Sequence, residues 1–504
     1  MNDCIAFSPR WVRIFPFFFF WFSIGGLHAQ EARGQVVTAQ QVIVYPMPGG
    51  ISHSEDFTVR VRNPGQSWRV LPVYLAKVVQ VVDTKRAFRQ SSMAYFDFSG
   101  TVEVSVTYHQ GAIRSAGIRP LSYGVQPVVT GNTITFSLSR PLNLSVEVNG
   151  DIFHNLQLFA NPLETDRPSS MDSSVIYFGP GVHNIGLLNV PSNKTVYIAG
   201  GAVVQGQLLI RHAENVKVRG RGIMTQVSAD SVPDDVQHTR SNGLTVEYSR
   251  NVEMSGLILM PHKYSILVGQ SAGITIRGIK SLSAEGNADG IDVFCSSDVL
   301  IEDIFMRNSD DCIAIYGHRW NYYGNTKNVI VRGAVLWADL AHPILAGTHG
   351  DSKSPDTLEG LHFANIDILD QHESQMDYQG CMSLNAGDDN LIRDVTFDHI
   401  RVEDFREGQL VNLRVMYNKK YNMSPGRRIE NVLFKDVSYH GNSANLSVIA
   451  GYDDSRSVRN IVFENLVING RLISDTMPGK PGYYKTSDMA RFFVGEHVEN
   501  IRFY

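Results

Sequence analysis

Three aspartates carry the first chemical signal. Asp289 lies in Asn287-Ala288-Asp289-Gly290-Ile291-Asp292, and Asp310 and Asp311 lie in Asn308-Ser309-Asp310-Asp311-Cys312-Ile313. Between them runs Val299-Leu300-Ile301-Glu302-Asp303-Ile304, the alternating pattern of a strand. Asp289 and Asp310 are 21 residues apart, about one coil of a parallel β-helix, so they are expected at matching positions in neighbouring coils. Adjacent side chains on a flat strand point to opposite faces. Asp310 and Asp311 therefore share a cleft only if the backbone bends there. Carboxylates brought together push at least one pKa up. One protonated acid beside one ionised base is what cleavage of an acetal needs. Two other uses stay open for the aspartates, a calcium site or solvated corners. Asp388-Asp389, between Gly387 and Asn390, reads as a turn.

Aromatic and cationic residues follow at once: Tyr316, His318, Arg319, Trp320 and Tyr323, with His342 further on. Aromatic faces stack on sugars, and Arg bonds hydroxyls or carboxylates. They are the candidate substrate contacts.

The elements that must position these residues recur along the chain. Val216-Lys217-Val218, Val252-Glu253-Met254, Ile274-Thr275-Ile276, Val329-Ile330-Val331, Leu361-His362-Phe363, Ile429-Glu430-Asn431-Val432 and Val458-Arg459-Asn460-Ile461 repeat the Val299–Ile304 texture. Repetition without identity marks a solenoid, and no long helical period intervenes. A right-handed parallel β-helix over residues 166–504 is expected, its coils stacked about 4.8 Å apart. Excursions at 318–328, 340–360, 370–390 and 404–427 would leave as loops and wall a groove. Residues 30–165 alternate differently, as in Phe57–Arg62, Val102–Val106 and Ile134–Leu138, between Gly, Pro and Asn turns. That predicts an antiparallel β-sandwich. Residues 1–29 read as a signal peptide: Arg10 and Arg13 precede a short apolar run. A secreted or periplasmic protein follows, and the run is too short to span a bilayer.

The composition agrees with an all-β extracellular chain. Of 504 residues 43 are Gly and only 19% are charged, and the net charge is -5. Nothing predicts nucleic acid as a partner. No metal-ligand spacing or cofactor motif is present. Cys295, Cys312 and Cys381 are an odd set left after signal cleavage, and read as buried free thiols.

These motifs resemble the pectinase-like β-helix glycoside hydrolases, the polygalacturonase family together with the dextranase/isopullulanase family. Asn287–Asp292 is similar to their Asn-Thr-Asp-Gly motif, with Ala288 for Thr. Asn308–Ile313 is similar to their double-aspartate motif, and Gly347-Thr348-His349-Gly350 to the Gly-His-Gly motif of polygalacturonases with Thr348 inserted. A sandwich before the helix resembles the dextranase/isopullulanase architecture. The resemblance implies an inverting hydrolase of a polysaccharide or oligosaccharide. Asp310 would be the general acid, Asp289 and Asp311 would activate water, and His349 would tune the acid or hold substrate. Two departures stand out: Ala314 replaces a Lys of the dextranase-like pattern, and only Arg414-Val415-Met416 echoes the polygalacturonase Arg-Ile-Lys. A neutral α-glucan of the dextranase/isopullulanase kind is the leading substrate expectation, with galacturonan the alternative. A β-helix polysaccharide lyase and a non-catalytic carbohydrate-binding solenoid are the other two readings.

Overall fold

Alternation of Val, Ile and Leu with polar residues builds a stack of short parallel strands. The computed structural model describes residues 40–82, 85–226 and 242–504. The expected signal segment lies outside the described residues. From Val175 onward the strands pair in parallel with strands one coil away, forming a parallel β-helix with three strand columns.

The first column holds the segments singled out above. Val252 pairs with Ile274, Ile274 with Val299, Val299 with Val329, and Val329 with Leu361. The second column includes the strands Lys280–Leu282, Phe305–Asn308 and Val335–Ala338. The third includes Ile266–Gly269, Ile291–Phe294, Ile313–Tyr316 and Ile344–Gly347. Inward side chains of all three fill one continuous core. In the later coils Phe363, Phe397, Phe434 and Phe463 stack face to face inside it, with ring centroids 4.9, 4.9 and 4.6 Å apart. Those spacings match the coil repeat, so each ring stands on the one below.

Before the helix come two sheets packed on a shared apolar core. One is entirely antiparallel, with the strands Phe57–Arg62, Val102–Tyr108 and Thr133–Leu138 at its centre. The other departs from the expected pattern, because Asp151–Pro162 runs parallel to Lys85–Ser99. That pairing sets the outer faces of these two strands against the helix. Tyr74, Met93, Tyr95 and Phe159 pack there with Leu282, Phe305, Val335, Trp337 and Leu369 from the second column. Polar ties cross the same seam. Arg119 Nε donates to Glu403 at 2.6 Å, and the buried Lys280 Nζ donates to Asn161 Oδ1 at 2.5 Å. The described residues accordingly form a single unit. The division expected at 165/166 falls between the strands Asp151–Pro162 and Val175–Phe178. Among the described residues, no helix is long and apolar enough to cross a membrane.

Candidate active site

The aspartates stand where the second column turns into the third. Asp289 is two residues before the strand Ile291–Phe294, and Asp311 is two residues before Ile313–Tyr316. Ile291 pairs with Ile313, and the Gly290 N–H donates to the Asp311 carbonyl at 2.8 Å. The register is therefore 22 residues, and Asp311 is the counterpart of Asp289. This corrects the expectation that Asp310 matches it. The cause is the corner, where the coil length is set by buried polar contacts. Asn308 Nδ2 donates to Ser281 Oγ and Ser283 Oγ, each at 2.9 Å. Ser283 Oγ donates to the Ala288 carbonyl at 2.7 Å, and Ser309 Oγ to that of Glu285. Gly290 is required at this corner, because a Cβ there would overlap the carbonyl oxygen of Cys312. Residues 309–312 are outside any strand, so the bend exists. Cys312 faces the core, while Asp310 and Asp311 both line one cleft.

The cleft has a volume of about 700 Å³. Asp289, Asp310, Asp311, Tyr316, Arg319 and His349 line it. His318, Trp320 and Tyr323 are not among its lining residues. The His318 amide donates to Asp356 Oδ2 at 2.7 Å and its ring lies 4.3 Å from that of the exposed Tyr323. Trp320 packs on Phe294 at 5.3 Å, with the Arg319 guanidinium 4.6 Å above it. His342 is fully buried beneath the cleft. Its Nδ1 donates to Asp311 Oδ1 at 2.7 Å, its amide donates to the same oxygen at 3.0 Å, and its Nε2 bonds the Tyr378 carbonyl. Trp337 is packing, sandwiched under Arg307 and Arg119. Asp388 and Asp389 both adopt positive φ in a turn, where Asp388 Oδ1 accepts the Met423 and Ser424 amides.

Each of the four loop excursions contributes a lining residue: Arg319, His349, Glu373 and Lys420 are examples. Sequence patterns gave no sign of several others. Arg86 and Val81 come from the N-terminal sheets, and only the tertiary fold brings them here. Lys420 had no motif around it. It donates to Gln375 Oε1 at 2.9 Å beside Tyr421, which stacks on Tyr378.

The electrostatics separate the carboxyls. Burial and then Asp311 push Asp310 up to about 7, against the pull of Arg86 and His342. Burial, then Asp292, Asp310 and Asp311, hold Asp289 well above the usual carboxylate range. Asp292 is raised as well, by burial and then Asp311. Its carboxyl oxygens have no fixed donor among the described residues, and Asp289 is the neighbour with which it can share a proton. Asp311 is different: besides His342 it accepts the Tyr316 hydroxyl at 3.3 Å. Burial opposes charge on His342, but the Asp311 carboxylate overrides it and raises the imidazole to about 9. Both ring nitrogens then donate. Burial and then Arg319 push His349 down to about 3, so its ring is neutral.

Away from the cleft, Asp398, His399 and Asp436 are the grouping of metal-capable side chains among the described residues. His399 Nδ1 lies 2.6 Å from Asp398 Oδ1 there, and its Nε2 lies 3.5 Å from Asp436 Oδ2. A second cavity of about 670 Å³ follows the seam between the sheets and the helix. Its arginines are mostly engaged, Arg221 with Asp97 and Arg401 with Asp367. It holds no carboxyl cluster resembling the aspartate site.

Known proteins resemble the chain over its β-helical part. The family model described as glycosyl hydrolases family 28 matches residues 218–477, just over half of the chain. A probable endopolygalacturonase D of Neosartorya fischeri is 24% identical over 240 residues, covering 47% of this chain and 45% of that protein. A polygalacturonase of Juniperus ashei is 22% identical over 254 residues, covering 49% and 47%. The chain thus spans about half the length of the curated relatives it matches. Among solved structures, Dex49A from Penicillium minioluteum superposes with a TM-score of 0.53 and 14% identity, covering 90% of this chain and 96% of that one. At that identity the likeness shows the fold alone.

Proposed function

The chain belongs to glycosyl hydrolases family 28, and from that membership we propose that its cleft hydrolyses an acidic polysaccharide of the polygalacturonate class with inversion at the anomeric carbon. The observation that carries the substrate class is the cleft's set of cations. Arg86, Arg319 and Lys420 line it beside the aspartates. A neutral glucan offers such cations only hydroxyls, while a uronate places a carboxylate, the stronger charge-assisted partner, on every sugar. The neutral α-glucan expectation therefore gives way to the acidic alternative. The full-length likeness to Dex49A speaks for the fold and leaves this choice untouched.

Roles follow from the environments. Asp310, half-buried with its carboxyl raised to about 7, protonates the departing glycosidic oxygen. A water on the opposite face of the sugar attacks the anomeric carbon, and an inverting pair stands about 6.5–9.5 Å apart to admit it. Asp311 takes the proton from that water. Its carboxylate accepts from His342 and Tyr316, and the imidazolium stays beside it throughout. Asp289 orients the water, since its raised pKa keeps a proton on it and leaves no site for the one the water loses. The neutral His349 offers a hydrogen bond to substrate, and Tyr316 closes the floor on which Arg319 rests. A polymer of this kind is met outside the cytoplasm, in keeping with the export-signal reading of residues 1–29.

The test is a panel of polygalacturonate, dextran and pullulan, followed by reducing-end release. Cleavage of polygalacturonate with the two glucans inert supports the reading. Cleavage of dextran or pullulan alone overturns the acidic substrate. An unsaturated, absorbing product would replace the hydrolase with a lyase.

A further inference from the structure

One cation of the cleft does not belong to the β-helix. The strands Tyr74–Val82 and Lys85–Ser99 form an antiparallel ladder from Tyr74↔Met93 to Val82↔Lys85. The base of the ladder is fixed: Tyr74, Ala76, Met93 and Tyr95 pack on Leu282, Phe305, Val335 and Trp337. Leu282 and Phe305 belong to the second-column strands that lead into the Asp289 and Asp310 corners. The far end of the ladder reaches the cleft. Val81 and Arg86 are directly opposed in the ladder, so they share a face, and both line the cleft with the aspartates.

We propose that Arg86, presented by this hairpin, is a substrate-binding and specificity-determining residue that takes a carboxylate of the bound polymer beside Asp310. This rests on the acidic-substrate reading for the identity of the anion. Three further observations support it. Among the described residues, no carboxylate stands within ion-pairing distance of Arg86. The neighbouring Arg89, in contrast, is held by Gln80 Oε1 at 2.7 Å. Arg86 also passes over Gly286, where a Cβ would come within 2.7 Å of its Nη1. The absence of a side chain at position 286 leaves the guanidinium its place next to the Asp289 corner. Finally, Arg86 and Asp310 line the same cleft, and Arg86 is the first of the groups that favour the ionised form of Asp310. A uronate carboxylate on Arg86 would neutralise that pull and help Asp310 keep its proton when substrate is bound.

The test uses the full chain with Arg86→Gln, Arg86→Lys and Gly286→Val, each first checked for an unchanged melting temperature. For Arg86→Gln on polygalacturonate, the expected result is a KM raised about tenfold or more. The alkaline limb of its kcat/KM profile should also move to higher pH, because Asp310 has lost a cation. Arg86→Lys should return the limb toward that of the wild type, and Gly286→Val should reproduce the Arg86→Gln shift. A wild-type KM together with an unmoved limb in Arg86→Gln would overturn the proposal. If the wild type cleaves only a neutral glycan, the acidic reading fails and the carboxylate on Arg86 with it. The limb measured on that glycan still reports separately whether Arg86 faces the acid. A raised KM with an unmoved limb, unrescued by lysine, would mean a structural effect of the hairpin and would also overturn it.

Discussion

Asp310 sits where a single proton decides whether the proposed acid is armed. Its carboxyl titrates near 7 in the fold, raised by burial and by Asp311, against about 3.9 in an unfolded chain. Activity is therefore expected to fall as pH rises through about 7, read from a kcat/KM profile. The same shift has a stability consequence. The folded state binds this proton more tightly, so its contribution is full below about pH 3.9 and is lost as pH rises through about 7. Asp310→Asn, neutral at every pH, should lower turnover by about 10²–10⁴-fold yet melt higher than the wild type above neutrality. His342 gives the converse probe. Its pKa is raised to about 9 beside Asp311, so its stabilisation is full below about 6.5 and is lost as pH rises through about 9. His342→Ala should therefore melt well below the wild type near pH 6, with the gap narrowing above about pH 9. The aspartates themselves were legible from residue type and spacing. The buried job of His342 was not, because nothing in its neighbourhood of the chain announces a partner 31 residues away.

The strands that carry these residues are held from outside the core as well as within. Arg307, on the strand Phe305–Asn308, is fully buried and bonds Asp339 at 3.0 and 3.2 Å through two nitrogens. It also donates to Asn155 Oδ1 of the N-terminal sheets. Removing one partner of a buried ion pair strands the other charge. Asp339→Ala should cost about 3–5 kcal/mol, measured by denaturant unfolding, and should depress activity because Asp310 follows on the same segment. The solenoid was readable because inward Val, Ile and Leu recur wherever a strand meets the core. The coil register was not: Asp289 opposes Asp311 because Asn308, Ser281 and Ser283 close the corner one residue longer than spacing suggested. Corner hydrogen bonds leave no periodic trace in a sequence. Arg86 was invisible for a related reason, since its place depends on how one sheet lies on another.

At the scale of the whole molecule, the sheets and the helix share a buried seam rather than a linker. Phe159 meets Phe305 edge-on at 5.2 Å, and Arg119, Lys280 and Arg307 tie the two across it. Residues 40–504 are expected to unfold in one cooperative calorimetric transition, and deleting the N-terminal sheets should leave an insoluble helix with exposed Leu282, Phe305 and Trp337. Two well-separated transitions would contradict that. A single transition would make the division proposed near residue 165 one of architecture and not of independent stability. The central claim is that Asp310 and Asp311 act as acid and base on an acidic polymer across one cleft. Anomeric proton spectra of the first products released from polygalacturonate test it most directly. The account predicts products whose new reducing end is inverted relative to the cleaved bond, and none from Asp310→Asn. Products that retain the configuration, or release by Asp310→Asn at the wild-type rate, would contradict it.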